Sequence, residues 1–231
     1  MADINLNELA TVLDSEDMIG FTRVFVEDIR KGLRNVTLER YPWMEEIGNT
    51  DWQGVLALGM GGSAAGGDFL SALCNLKGKV PVVVQRDYVI PSWWNKKWLV
   101  ISTSHSGNTE EAIDATEIAL QAGATVIVIS TGGILSGLAE IHYNCYFIPS
   151  IGGQPPRSAF GHIFARQLAL FKGIGILPDD EDNEVMLERL QSVVDDYDFT
   201  AKHDSDFIEL ISYLATQPIA LLGPTELMPA L

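Results

Sequence analysis

Five short, nearly continuous apolar runs follow Asp51: VLALGM (55–60), VPVVV (80–84), WLVIST (98–103), TVIVIS (125–130) and CYFIPS (145–150). Runs of this length without polar alternation predict strands buried on both faces. Between them lie helical patterns starting near Ser63, Thr109, Ile134 and Pro156. Strands joined through helices predict an α/β fold, a parallel sheet covered by helices on both sides. In such a sheet ligands bind beyond the carboxyl ends of the strands, where the strand order changes direction. The two junctions richest in glycine and serine, GMGGSAAGGD and STSHSGNTEE, both fall at strand carboxyl ends.

The flanking segments read differently. Residues 16–47 are helical in pattern, with Phe21, Val24, Phe25, Ile29 and Leu33 recurring at three- and four-residue steps. From Asp179 to Glu209 there are twelve acids against Arg189 and Lys202, the mark of a solvated helical connector. The run QPIALLG (217–223) then reads as a strand. It can add to the first sheet or open a second α/β domain.

Charge and composition narrow the partners. A formal charge of −16 argues against binding to nucleic acid, which needs a basic footprint. Any anionic ligand must therefore be held by local geometry. The first residues carry acids where a signal peptide has Lys or Arg, and no apolar run approaches the ~18 residues of a membrane span. A cytoplasmic protein that does not bind membranes is expected. Cys74 and Cys145 are far apart in sequence and show no metal-ligand spacing, so reduced packing thiols and no structural zinc are expected.

The first loop admits two readings. Gly59, Gly61 and Ala64 match G-x-G-x-x-A, a dinucleotide pattern in which Asp87 would hold a ribose. That reading leaves the second loop unexplained. Taken together, the loops offer the backbone N–H groups of Gly61 and Gly62, the hydroxyl of Ser63, and the hydroxyls of Ser104, Ser106 and Thr109 before a second helix. Helix N-termini carry partial positive charge and free donors, so such a pair can bind a phosphate monoester without Lys or Arg. Glu110 and Glu111 read as surface acids complementing the helix dipole.

The stretches GMGGSAAGGD, RDYVIP, STSHSGNTEEAI and GGQPPRSAFGHIF, in this order, resemble sugar isomerase (SIS) domains, and among these the bifunctional phosphoglucose/phosphomannose isomerases. The resemblance covers roughly residues 20–223. It implies a flavodoxin-like three-layer sandwich with a five-stranded parallel sheet, preceded by a helical segment. The implied layout is a helical segment (1–50), a SIS domain (51–178), an acidic helical connector (179–216) and the start of a second SIS domain (217–231).

The same resemblance implies the chemistry. Gly61, Gly62, Ser63, Ser104, Ser106 and Thr109 correspond to the family's phosphate-holding positions. Arg157, in PPRSA, corresponds to an arginine near the reacting carbons. The implied activity interconverts glucose 6-phosphate or mannose 6-phosphate with fructose 6-phosphate by ring opening and proton transfer through a cis-enediolate, with no metal or other cofactor, in a homodimer. His105 departs from the family, which usually has Tyr or another residue between the two serines, and it reads either as neutral filler or as a contact to the sugar. The family's proton-abstracting Glu lies in a later motif, and its ring-opening His and a Lys lie further on. GPTELMPAL resembles the lead-in to that motif. None of Glu226, His203, His162, His142 or Lys172 matches those positions and none is assigned a catalytic role, so the chain as given is expected to bind phosphosugar with little or no turnover. The alternatives are a non-catalytic phosphosugar sensor and a dinucleotide-dependent oxidoreductase. Glutamine-dependent aminotransfer is disfavoured, because no cysteine follows Met1.

Overall fold

All five apolar runs form strands of one parallel sheet in the computed structural model, which describes residues 6–180, 182–198, 200, 205–220 and 223. The strands are β1 (Gly54–Leu58), β2 (Val82–Gln85), β3 (Trp98–Thr103), β4 (Val126–Ser130) and β5 (Cys145–Pro149). Their spatial order is β2-β1-β3-β4-β5, the flavodoxin-like arrangement. Every residue of β1 and β4 is buried, which is why neither strand alternates in polarity.

Four helices precede the sheet: α1 (Leu6–Leu13), α2 (Met18–Arg23), α3 (Phe25–Asn35) and α4 (Trp43–Gly48). Within and after it come α5 (Gly61–Lys77), α6 (Glu110–Gln121), α7 (Gly133–Ile141), α8 (Phe160–Gly173), α9 (Asn183–Asp196) and α10 (Ser205–Leu214). The strand period of two divides the apolar side chains between two cores. Val55, Ala57, Leu99, Ile101, Ile127 and Ile129 meet α4, α5 and α8 through Met44, Leu70 and Phe171. Leu56, Leu58, Val100, Val126 and Val128 meet α6 and α7 through Ala115, Leu120 and Leu135. Burying one such Leu or Ile side chain contributes about 2 kcal/mol, so the two covered faces dominate the stability of this domain.

The leading helices extend the α8 side of the sheet. Val26 and Ile29 of α3, Ala165 of α8 and Leu187 of α9 form a third core. Here Gly32 is a close-approach residue: a Cβ at this position would overlap the Ala165 methyl and lie 3.0 Å from the His162 carbonyl. The 16–47 pattern needs one correction. Val24 is 44% exposed and Val26 is fully buried instead. Val24 is the junction between α2 and α3, so the helical phase restarts there and the apolar face shifts with it.

Two other boundaries move. The last sheet helix starts at Phe160 rather than near Pro156, because the Ser158 and Ala159 amides both close a turn on the Pro155 carbonyl. Residues 217–220 carry no strand. The rest of that expected strand, apart from Gly223, and the stretch 224–231 lie outside the described residues. The acidic stretch after Pro178 contains two helices, α9 and α10. Among the described residues no helix is long and apolar enough to cross a membrane.

Candidate functional site

β1 lies between β2 and β3, so the strand order switches direction there and a crevice opens beyond the ends of β1 and β3. Leu58 pairs with Ser102, which sets the two following turns side by side. They touch: a Cβ on Gly59 would come within 3.0 Å of the Thr103 carbonyl oxygen.

The turn after β3 is tightly specified. The hydroxyls of Ser104 and Thr109 lie 2.8 Å apart, and the Gly107 amide donates to Ser104 Oγ at 3.1 Å. Ser106 is exposed and its Oγ accepts from the Asn108 amide at 3.1 Å. The turn is also clamped to the one following β4. The Thr131 and Leu135 amides donate to the His105 and Gly107 carbonyls at 3.0 Å, and the Ile134 amide donates to Asn108 Oδ1 at 3.0 Å. Gly107 has φ +71°, and a side chain there would overlap the Gly132 carbonyl.

Two helices start at this crevice without side-chain caps. Thr109 precedes α6 and Met60 precedes α5, and neither residue's side chain bonds the helix that follows it. Uncapped starts also occur at α2, α3, α4, α7 and α8, and α9 is capped by Asp182, which accepts from the Glu184 amide at 2.9 Å. The first amides of a helix have no partner within it, so the uncapped ends of α5 and α6 keep donors and a positive partial charge at the crevice. Gly61 and Gly62 are exposed and Ser63 is half-buried in the first turn of α5. Glu111, in the first turn of α6, faces Tyr88 of the loop after β2, and its charge is the main cause raising the pKa of that phenol. Arg86, on the same loop, is paired with Asp68.

A third segment, between β5 and α8, joins the two turns. The Pro156 carbonyl lies 3.8 Å from where a Cβ on Gly62 would be, so the loop holding Arg157 adjoins the first turn. Arg157 is exposed and makes no ion pair among the described residues. His105 Nε2 lies 3.0 Å from the Gln154 carbonyl, and Gln154 Nε2 donates to Asp28 Oδ2 at 2.8 Å. The expected positions Gly61, Gly62, Ser63, Ser104, Ser106, Thr109 and Arg157 thus belong to three segments in mutual contact.

The remaining candidates lie elsewhere. His162 is fully buried in α8, with Nδ1 3.0 Å from Ser150 Oγ. Burial, then the charge of Arg166, pushes its pKa down to about 4. Lys172 pairs with Asp179 at 3.0 Å and donates to Asn183, and His142 ends α7. His203 and Glu226 lie outside the described residues. Among the described residues no group of three or more His, Cys, Asp and Glu is placed to hold a metal. The sequence reading passed over Asp28, Gln154 and Gln167, although Gln154 stands within GGQPPR. Gln167 Nε2 donates to Thr103 Oγ1 at 2.8 Å, tying α8 to the end of β3. Asp28 is 6% exposed, and its one signal was an acid placed between Phe25 and Ile29 on an apolar helix face.

The architecture is shared with solved proteins. Tagatose-6-phosphate ketose/aldose isomerase from Escherichia coli superposes with a TM-score of 0.56 at 20% identity, covering 78% of this chain and 54% of that one. The chain has the sugar-isomerase fold. Within that fold its sequence is similar to bifunctional phosphoglucose/phosphomannose isomerases. The protein of that name from Caldicellulosiruptor bescii is 41% identical over 145 residues, 62% of this chain and 42% of the relative. The one from Thermoplasma acidophilum is 34% identical over 149 residues, 61% of this chain and 46% of the relative. The chain thus spans less than half the length of these relatives. No family model matches it.

Proposed function

We propose that the crevice binds the phosphate of an aldose or ketose 6-phosphate, and that the protein to which this sugar-isomerase fold belongs interconverts glucose 6-phosphate or mannose 6-phosphate with fructose 6-phosphate. The observation that carries the binding half is the Ser104–Thr109 hydroxyl pair at the uncapped start of α6, beside the uncapped start of α5. With a formal charge of −16 the chain as a whole repels anions, so a phosphate must be attracted by local dipoles and donors. The names of the relatives supply the substrate class.

Arg157 supports the chemical half. Its exposed guanidinium stands on the loop against Gly62, with no carboxylate partner among the described residues. Moving a proton between C1 and C2 of the open-chain sugar places negative charge on the enediolate oxygens. A fixed cation beside them stabilises that charge more than it stabilises neutral substrate, which is the requirement for catalysis. Gly61, Gly62, Ser63, Ser104, Ser106 and Thr109 would hold the phosphate while this happens.

Calorimetric titration tests the binding half. Fructose 6-phosphate should bind, and fructose and NADH should not. Binding of NADH in preference to the sugar phosphate would return the Gly59–Ala64 loop to the dinucleotide reading. Assays of glucose 6-phosphate and mannose 6-phosphate isomerisation then separate an enzyme from a phosphosugar sensor, which binds without turnover.

A further inference from the structure

We infer that His105 is a positioning residue, latching the loop that carries Arg157 onto the turn that carries Ser104; this rests on the phosphosugar reading above.

The backbone of His105 is already fixed from one side, because its carbonyl accepts the Thr131 amide at 3.0 Å. Its ring reaches the other way, to the Gln154 carbonyl at 3.0 Å. A carbonyl oxygen can only accept, so Nε2 carries the hydrogen. The side chain of Gln154 continues the chain by donating to Asp28 Oδ2 at 2.8 Å, and Asp28 is 6% exposed in α3. Two hydrogen bonds thereby join the β3 turn, the loop before α8 and the leading helical segment.

The loop needs such a restraint before Pro155, since from there on the Ser158 and Ala159 amides already close a turn on the Pro155 carbonyl. Between Ser150 and Phe160 it has no helix or strand, and it includes Gly152 and Gly153, the latter at φ +89°. Arg157 sits three residues beyond Gln154, and the intervening Pro156 carbonyl faces Gly62. Fixing a backbone residue costs conformational entropy, and a loop ordered before the ligand arrives spares the complex that cost.

A simple packing role does not account for the residue. His105 is half-buried, and its Nδ1 is buried without a hydrogen-bond partner among the described residues. An apolar side chain of similar size would avoid that unpaired nitrogen. What imidazole adds at this position is the bond to Gln154.

The test uses the full chain, with fructose 6-phosphate and inorganic phosphate as separate probes. His105→Ala should weaken fructose 6-phosphate binding about 10-fold, the scale of one lost hydrogen bond. It should leave inorganic phosphate binding within about twofold, because the turn that carries Ser104 and Thr109 stays held by the Thr131 and Leu135 amides without the bond to Gln154. His105→Gln, which keeps a donor near the Nε2 position, should recover most of the loss. In an Arg157→Ala background, His105→Ala should cost no more than about twofold further, because the restrained side chain is then gone. Equal losses for both probes, or a full second loss in the Arg157→Ala background, would overturn the latch.

Hydrogen exchange of the unliganded chain separates failure of the latch from failure of the phosphosugar reading. Amides of residues 151–158 should exchange faster in His105→Ala than in wild type or His105→Gln. Unchanged exchange sinks the latch whatever the ligand proves to be. Wild-type chain that shows this exchange pattern but binds no sugar phosphate sinks only the phosphosugar reading.

Discussion

The hydroxyl of Thr109 lies 2.8 Å from that of Ser104, and it therefore does not cap the helix it precedes. Threonine at an N-cap ordinarily turns its oxygen onto the second or third amide of the helix. Here the oxygen is drawn back across the turn, and the first amides of α6 are left for something else. The pair also organises the turn, because Ser104 Oγ accepts the Gly107 amide at 3.1 Å.

Thr109→Val tests the pair with little change of shape. Valine keeps the branched side chain and removes the oxygen, so the turn should persist while the hydroxyl pair is lost. Affinity for fructose 6-phosphate should fall about 10-fold, from loss of one hydrogen bond to a charged ligand. Ser104→Ala should cost more, because it also removes the side-chain acceptor of the Gly107 amide and leaves only the longer bond to the Ser104 carbonyl at 3.3 Å, with about 1 kcal/mol of stability at risk. Calorimetric titration and urea unfolding measure the two effects separately. Unaltered affinity in both variants would place the phosphate elsewhere.

The clamp between the β3 and β4 turns can be tested at one glycine against another. Gly107 and Gly123 both have positive φ, +71° and +81°, but a Cβ on Gly107 meets the Gly132 carbonyl and one on Gly123 meets nothing within 4 Å. Gly123→Ala should therefore cost only the left-handed backbone penalty, about 1–2 kcal/mol. Gly107→Ala adds a collision with main chain that cannot rotate away, so the loss should exceed about 3 kcal/mol. Equal midpoints of urea unfolding for the two variants would mean that the turns are not held together as described.

The two cysteines should be inert in the folded chain. Cys74 is 6% exposed and Cys145 5%, and burial pushes their thiols up to about 11 and about 12. The thiolate is the reactive form, so neither should titrate with a thiol-specific disulfide reagent at neutral pH. Both should react at once after unfolding in urea. Fast reaction of either thiol without denaturant would contradict the packing of Cys74 on the buried face of α5 or of Cys145 at the start of β5.

What could be read from the sequence follows physical locality. The strands were legible because burial on both faces leaves each run apolar throughout, as in VIVIS of β4. The turns were legible because glycine and serine cluster in them at the carboxyl ends of apolar strands. Val24 was misplaced because a helical face can be phased only while the helix is unbroken, and the break falls on that residue. Asp28 and Gln154 were not legible as partners, since their bond spans 126 positions. His105 was noted as a departure from the family, but its bond to Gln154, 49 positions away, needed the fold.

His162 gives a prediction whose sign follows from burial. Its ring is fully enclosed, so the neutral form is favoured in the folded chain, and its pKa falls from the ordinary 6.5 to about 4. Above about pH 6.5 neither the folded nor the unfolded chain is protonated there, and the contribution is flat. Between about pH 6.5 and 4 the unfolded chain binds a proton that the folded chain refuses, so stability falls as pH falls through this window. Below about 4 both states are protonated and the loss levels off. From pH 7 to pH 5 the expected loss from this one group is about 2 kcal/mol. Other groups titrate in the same range, so the comparison is with His162→Asn, which keeps a polar atom near Ser150 and removes the titration. Urea unfolding of both proteins at pH 7 and pH 5 should show wild type losing about 2 kcal/mol more than the variant. Parallel losses would mean that the imidazole takes up a proton in the folded state as readily as in the unfolded one, and that the pocket formed by Ser150, Asp28 and Arg166 is wetter than its burial indicates.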